Sequence, residues 1–262
     1  GGGGAYNGCL EGLRSVEVAS IVLHPKSGLW PCLFNPLLFS TRCFFIRDLE
    51  VVLDVETKEL GIAAGLQDRV IQVYGGLVHM DFTVMDPSNG GLSHGLYTRL
   101  DPSLLPPLYL AFDTDAGGES GRAHSDVRAR WNAGDPLVKE GMAAVASLAD
   151  GLKNALGTKS YHEIPALMRA NFGWRRRMYG DAVVGERMIG LIELARSLGF
   201  AAKFTGSGGA VVCIRDLASQ DGTGAVSAAA AFDLSQEEEN SVARAFEAHG
   251  FEFTKILPAV AL

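Results

Sequence analysis

Asp68 has the setting most suited to chemistry. It follows the glycine at position 65 and precedes the pair Gly75-Gly76, with a short polar-faced helical segment between them. A lone acid after a glycine break, at the start of a short helix, suits a proton acceptor or a cation binder. The same placement suits an N-terminal helix cap, which aspartate often fills. Both readings stay open on local pattern.

A second candidate is Lys203-Phe-Thr-Gly-Ser-Gly-Gly-Ala-Val-Val212. Glycines at 206, 208 and 209 permit positive φ and close approach to a ligand. Successive N–H groups in such a turn form an anion-binding concavity, and Thr205 and Ser207 add hydroxyls. A strand and not a helix follows, so this is neither a P-loop nor a dinucleotide fingerprint. The alternative is a tight β-hairpin, although three glycines in four positions exceed what a two-residue hairpin needs. A third candidate is Arg175-Arg-Arg177, since arginine pairs with carboxylates and phosphates through two parallel bonds. Three in a row fan around a helix, so one or two at most can face a single site. The alternative is a solvated basic face, and the stretch His124 to Trp131 has the same ambiguity. No Cys/His ligand spacing appears, and His79, His94, His162 and His249 receive no role.

These residues need elements to hold them. The pattern predicts a strand over Leu49–Val55, a helix over Gln67–Tyr74 and a strand over Leu77–Phe82. A strand entered through prolines is expected over Leu105–Phe112. Helices follow at Ser125–Trp131, Pro136–Leu156, Tyr161–Arg177 and Gly185–Leu198. A strand ending near Phe204 and one over Ala210–Ile214 flank the glycine turn. Ala218–Ala231, rich in Ser, Ala and Gly, reads as a flexible insertion. Ser235 caps a helix running to about Gly250, and Phe251–Leu257 is a final strand. Helices followed by β-β-α-β give an α+β arrangement.

The chain has 262 residues, 47% hydrophobic and 20% charged, enough for one or two domains with a real core. A net charge of −7 disfavours nucleic-acid binding. The uncharged run from Ser27 to Thr41 holds two prolines and is too short to span a bilayer. With four scattered cysteines and no disulfide framework, a cytoplasmic protein is expected.

The run from Lys58 to Phe82 resembles the plant glucuronokinase family of the GHMP sugar-kinase superfamily. So do Leu104-Leu-Pro-Pro-Leu108, His124-Ser125 with Arg128, Arg130 and Trp131, and Arg175-Arg-Arg-Met178 with Gly180-Asp181. Lys203 to Val212 is similar to the superfamily's third motif. The resemblance covers about residues 46 to 258. It implies a GHMP kinase-like two-domain fold: a partial N-terminal domain like that of ribosomal protein S5 over 46–115, and a ferredoxin-like C-terminal domain over 116–262. It implies an ATP- and Mg²⁺-dependent kinase converting D-glucuronate to its 1-phosphate, as in UDP-glucuronate salvage, with small-molecule partners only. Asp68 matches the catalytic aspartate. Thr205, Gly206, Ser207, Gly208 and Gly209 match the loop beside phosphates and substrate. Arg175, Arg176 and Arg177 are nominated as a group for the uronate carboxylate, and Arg69 joins them as a substrate-binding candidate. The alternatives are another GHMP sugar kinase, or an inactive fragment with only a binding role.

GHMP kinases carry two earlier motifs, a substrate-contacting strand and a Gly-Leu-Ser-Ser loop around the ATP phosphates. Neither is found upstream of Lys58, and residues 1–45 match nothing in the family. The expectation is therefore a chain without the phosphate loop, inactive as it stands, with an unpaired sheet edge.

Overall fold

The computed structural model describes residues 51–52, 55–61, 66–82, 95–114, 126–127, 129–206, 208–217 and 228–257. Residues 1–45, His124, Ser125, Arg128, Ser207 and most of the 218–231 insertion lie outside the described residues.

Helix α1 (Leu66–Tyr74) and strands β1 (Leu77–Asp81) and β2 (Leu96–Leu100) form the first unit. Leu66, Val70 and Ile71 fall on one face of α1 and pack on Val78, Met80 and Phe82. Gly75 and Gly76 end the helix, both at positive φ (61° and 64°). β1 and β2 pair antiparallel, Leu77 opposite Leu100 and Asp81 opposite Leu96. Among the described residues no other strand joins this sheet. At its described residues the strand expected over Leu49–Val55 is not formed. Val51 and Val52 are helical, and Val55–Glu59 is a single π-helical turn. An apolar run rich in β-branched residues needs a partner strand, and among the described residues it has none.

The second unit begins with β3 (Tyr109–Phe112), reached through Leu105-Pro-Pro-Leu108. The prolines shorten the expected strand because they offer no N–H to a ladder. Then come α2 (Pro136–Thr158), α3 (Ile164–Tyr179), the short α4 (Asp181–Val184) and α5 (Glu186–Ser197). β4 (Phe200–Phe204), β5 (Ala210–Arg215), α6 (Gln236–Glu247) and β6 (Glu252–Lys255) complete it. Asp135 caps α2, accepting from the N–H groups of Leu137 and Val138, with Pro136 at the first helical position. Pro165 sits in the first turn of α3. Ser235 and Glu238 form a capping box on α6.

The four strands lie in the order β4-β5-β3-β6, every neighbouring pair antiparallel. That is the split β-α-β arrangement of a ferredoxin-like sheet. β3, counted with the first unit in the division expected at 115, is the strand through which β5 and β6 are joined. Phe172, Leu191, Phe246 and their neighbours cover one face of this sheet. Leu156, Ile164, Met168 and Phe232 cover the other, where Leu77 and Leu100 of the first unit join them. α3 contributes to both cores and so shields the outer side of β4. Residues 229–232, expected within a flexible insertion, form a 3₁₀ turn that sinks the Phe232 ring beside Tyr161. One aromatic side chain outweighs the local Ser/Ala/Gly composition.

Candidate active site

Asp68 is the third residue of α1 and not its cap, so the capping reading fails. An acid in the first helical turn is favoured by the helix dipole. Its side chain is 64% exposed. Arg69 lies beside it, Nη1 at 3.3 Å from Asp68 Oδ2, and its other branch is ion-paired with Glu56. Arg69 therefore ties the 55–59 turn to α1 and is held among protein carboxylates.

The glycine turn links β4 to β5. Thr205 closes it, donating to the Ala210 carbonyl through both its N–H and its hydroxyl, each at 3.3 Å. Arg175 Nη2 donates to the Gly206 carbonyl at 2.8 Å, and the Asp113 N–H to the Gly209 carbonyl at 2.9 Å. Three carbonyls are thus engaged by internal donors. Among the described residues, none accepts a hydrogen bond from the N–H of Gly206, Gly208 or Gly209. Gly208 and Gly209 have φ of 146° and 78°, which side-chain-bearing residues rarely adopt. A Cβ built on Gly206 or Gly208 meets nothing within 4 Å, so the turn faces open space. Inward carbonyls, unengaged amides and open space make an anion-accepting concavity. Those features fit the phosphates of a nucleotide.

The three arginines of α3 diverge as their spacing requires. Only Arg175 is brought to the turn. Arg176 holds Asp181 through two bonds of 2.6 and 2.7 Å, and each group favours the charged form of the other. Arg177 is exposed and lies 4.2 Å from the centre of the Trp174 ring. Arg130, part of the family-like stretch, has a structural role: it binds the Asp135 cap at 2.8 Å and the Met178 carbonyl at 2.6 Å.

Sequence reading missed Asp113 and Arg187. The Asp113 carboxylate is buried at the end of β3 and accepts from Nε and Nη2 of Arg187, whose Nη2 also donates to the Gly250 carbonyl at 3.0 Å. Asp113 thereby fixes the strand end whose N–H holds the glycine turn. The only local signal was an acid at a strand terminus. His79 bridges the units, its Nε2 lying 3.2 Å from Asp150 Oδ1 on α2. Among the described residues no cluster of three or more His, Cys, Asp or Glu can hold a metal ion. No described helix is long and apolar enough to cross a membrane.

Solved structures share this fold. Mevalonate kinase from L. major, in complex with R-mevalonate, aligns with a TM-score of 0.54 at 16% identity, over 82% of this chain and 60% of that one. A galactokinase from Lactococcus lactis, complexed with galactose, aligns at 0.55 and 11% identity, over 83% and 60%. A Lin0012 protein from Listeria innocua aligns at 0.59 and 12%, over 80% and 58%. The architecture is that of the GHMP kinases. The sequence is glucuronokinase-like: it is 52% identical over 162 residues to Glucuronokinase 1 of Arabidopsis thaliana, and 50% identical over 163 residues to Probable glucuronokinase 2. These matches span 62% of this chain but only 44% and 43% of the relatives. The chain thus spans less than half the length of the curated relatives it matches. No protein-family model matches it.

Proposed function

We propose that this chain carries the acid and the glycine turn of an ATP-dependent sugar-1-kinase site, and that its sugar is D-glucuronate, yielding D-glucuronate 1-phosphate. The observation that carries this reading is the glycine turn, with its carbonyls held inward and its amides unengaged, on a kinase fold in a glucuronokinase-like chain. Bound ATP would supply the phosphoryl group, with Mg²⁺ carried on its phosphates. The protein's share is positioning and charge. Asp68, exposed and on a helix start, accepts the proton of the anomeric hydroxyl. The amides of Gly206, Gly208 and Gly209 receive anionic oxygens. We also place the start of the second unit ahead of β3, near residue 105.

The test joins residues 58–262 to the N-terminal portion of Glucuronokinase 1 and assays the fusion with ATP, Mg²⁺ and glucuronate. The expected result is ATP-dependent glucuronate 1-phosphate from the fusion and none from the 262-residue chain. A folded fusion that phosphorylates other free sugars but not glucuronate overturns the substrate. One that phosphorylates none overturns the function.

A further inference from the structure

We infer that Arg175 reads a carboxylate on a ligand bound at the glycine turn, and so makes this site prefer an acidic sugar to its neutral counterpart. The inference rests on the kinase function proposed above. Sequence alone could not choose among the three arginines of α3, and the structure separates them. Arg176 holds Asp181 and Arg177 stacks on Trp174. Arg175 is half-buried and uses Nη2 on the carbonyl of Gly206. No other hydrogen bond from it reaches a described residue.

A guanidinium carries five N–H donors in a planar fork. One donor is engaged here, and the group is held in place by that bond and by two rings. Its central carbon lies 5.7 Å from the ring centre of Tyr179 and 5.9 Å from that of Phe204. A half-buried, immobilised cation with unengaged donors, beside a turn with unengaged amides, is arranged for an anion. Two anions are available in the proposed reaction, the sugar carboxylate and the nucleotide phosphate. The turn's successive amides suit a tetrahedral phosphate. The planar fork of Arg175 matches a planar carboxylate through two parallel bonds. Its bond to Gly206 also keeps that carbonyl, which would repel either anion, turned away from the ligand.

The experiment titrates the 262-residue chain with glucuronate, glucose and Mg-ATP by ligand-detected NMR, in wild type, Arg175→Gln and Arg175→Lys, with circular dichroism to check folding. The expected result is a preference for glucuronate over glucose that falls about tenfold or more in Arg175→Gln, with a smaller loss of Mg-ATP affinity from the lost hold on Gly206. Arg175→Lys keeps the charge without the fork and falls between. The glucuronate-to-glucose ratio is the decisive readout, because simple loosening of the turn weakens all ligands together. An unchanged ratio overturns the inference, as does a loss confined to Mg-ATP or equal for all three ligands. If wild type binds Mg-ATP and both sugars without preferring glucuronate, the inference fails while the kinase function stands. Should wild type bind neither Mg-ATP nor sugar, it is the kinase function that fails for this chain, and the inference with it.

Discussion

Asp68 and the glycine turn, the two halves of the candidate site, are supported in opposite ways. The turn joins two strands of a four-stranded sheet with a core on each face, and β4 is buried along its whole length. Donors from α3, β3 and Thr205 hold its carbonyls. Asp68 rides on a nine-residue helix over a two-stranded sheet, a unit marginal without its attachment to the larger core. Its carboxylate is exposed, and its neighbour Arg69 is the residue buried into the support. A change at Asp68 should therefore appear in turnover alone, and a change at the turn in stability and binding together.

The largest effect expected is from Asp68→Asn in the fusion protein. Removing a general base costs about 10²- to 10⁴-fold in kcat, whereas an exposed isosteric change should leave Tm almost where it was. Steady-state kinetics and a thermal melt on the same sample test both halves of the statement. Wild-type turnover removes Asp68 from the chemistry. A large fall in Tm makes it a structural acid and collapses the contrast.

Asp113→Asn comes next. It weakens a buried, doubly bonded pair with Arg187 and should destabilise the chain by about 1–3 kcal/mol, below the cost of a fully buried pair because Arg187 is half exposed. The same substitution leaves the Asp113 N–H that holds the Gly209 carbonyl in place, so Mg-ATP binding should fall only slightly, through the loosened strand end. Arg187→Ala should cost a similar amount, and the double variant less than the sum of the two. Additive losses would mean that the two groups do not act as a unit. Gly209→Ala follows, because at φ 78° a Cβ costs about 1 kcal/mol or slightly more. Its effect on Mg-ATP affinity should exceed its effect on glucose, and equal losses would detach the turn from the phosphates.

Those outcomes bear on what could be read in advance. Elements with local punctuation were legible: α1 ends at paired glycines, α2 begins at Asp135-Pro136, and α6 carries its capping box in four residues. The glycine turn was legible as the link between two strands, because its glycines permit the positive φ that the link uses. Elements set by distant partners were not. β3 belongs to strands about 100 and 140 residues later, and nothing in Tyr109–Phe112 announces that. Leu49–Val55 looked like a strand because local pattern cannot report a missing partner. Arg175, Arg176 and Arg177 looked equivalent because their roles depend on Gly206, Asp181 and Trp174. Asp113 was invisible for the same reason, since its meaning lies 74 residues away in Arg187.

The smallest expected effect probes the edge of the large sheet away from the glycine turn. Asp233 accepts from Lys255 Nζ at 2.5 Å, from the buried Tyr109 hydroxyl at 3.0 Å and from the Leu234 N–H at 3.0 Å. The hydrogen bond from Lys255 is the main reason its carboxyl titrates below the usual 3.8, with Tyr109 adding to it. Burial pushes the Tyr109 phenol well above its usual range, so it stays a donor throughout. A carboxyl with a depressed folded value adds stability that is complete above the unfolded value and disappears as pH falls through the folded one. The Tm gap between wild type and Asp233→Asn should accordingly be widest near neutrality and shrink below about pH 4. Because Asp233 is 41% exposed, solvent screening keeps the gap modest. A gap that stays constant down to pH 3 would show that the carboxylate's charge contributes nothing there. Glucuronate and Mg-ATP binding at neutral pH should be unaffected by this variant. Loss of binding would mean that support for the turn runs across the whole sheet, from β6 to β4, and not from the three donors beside it.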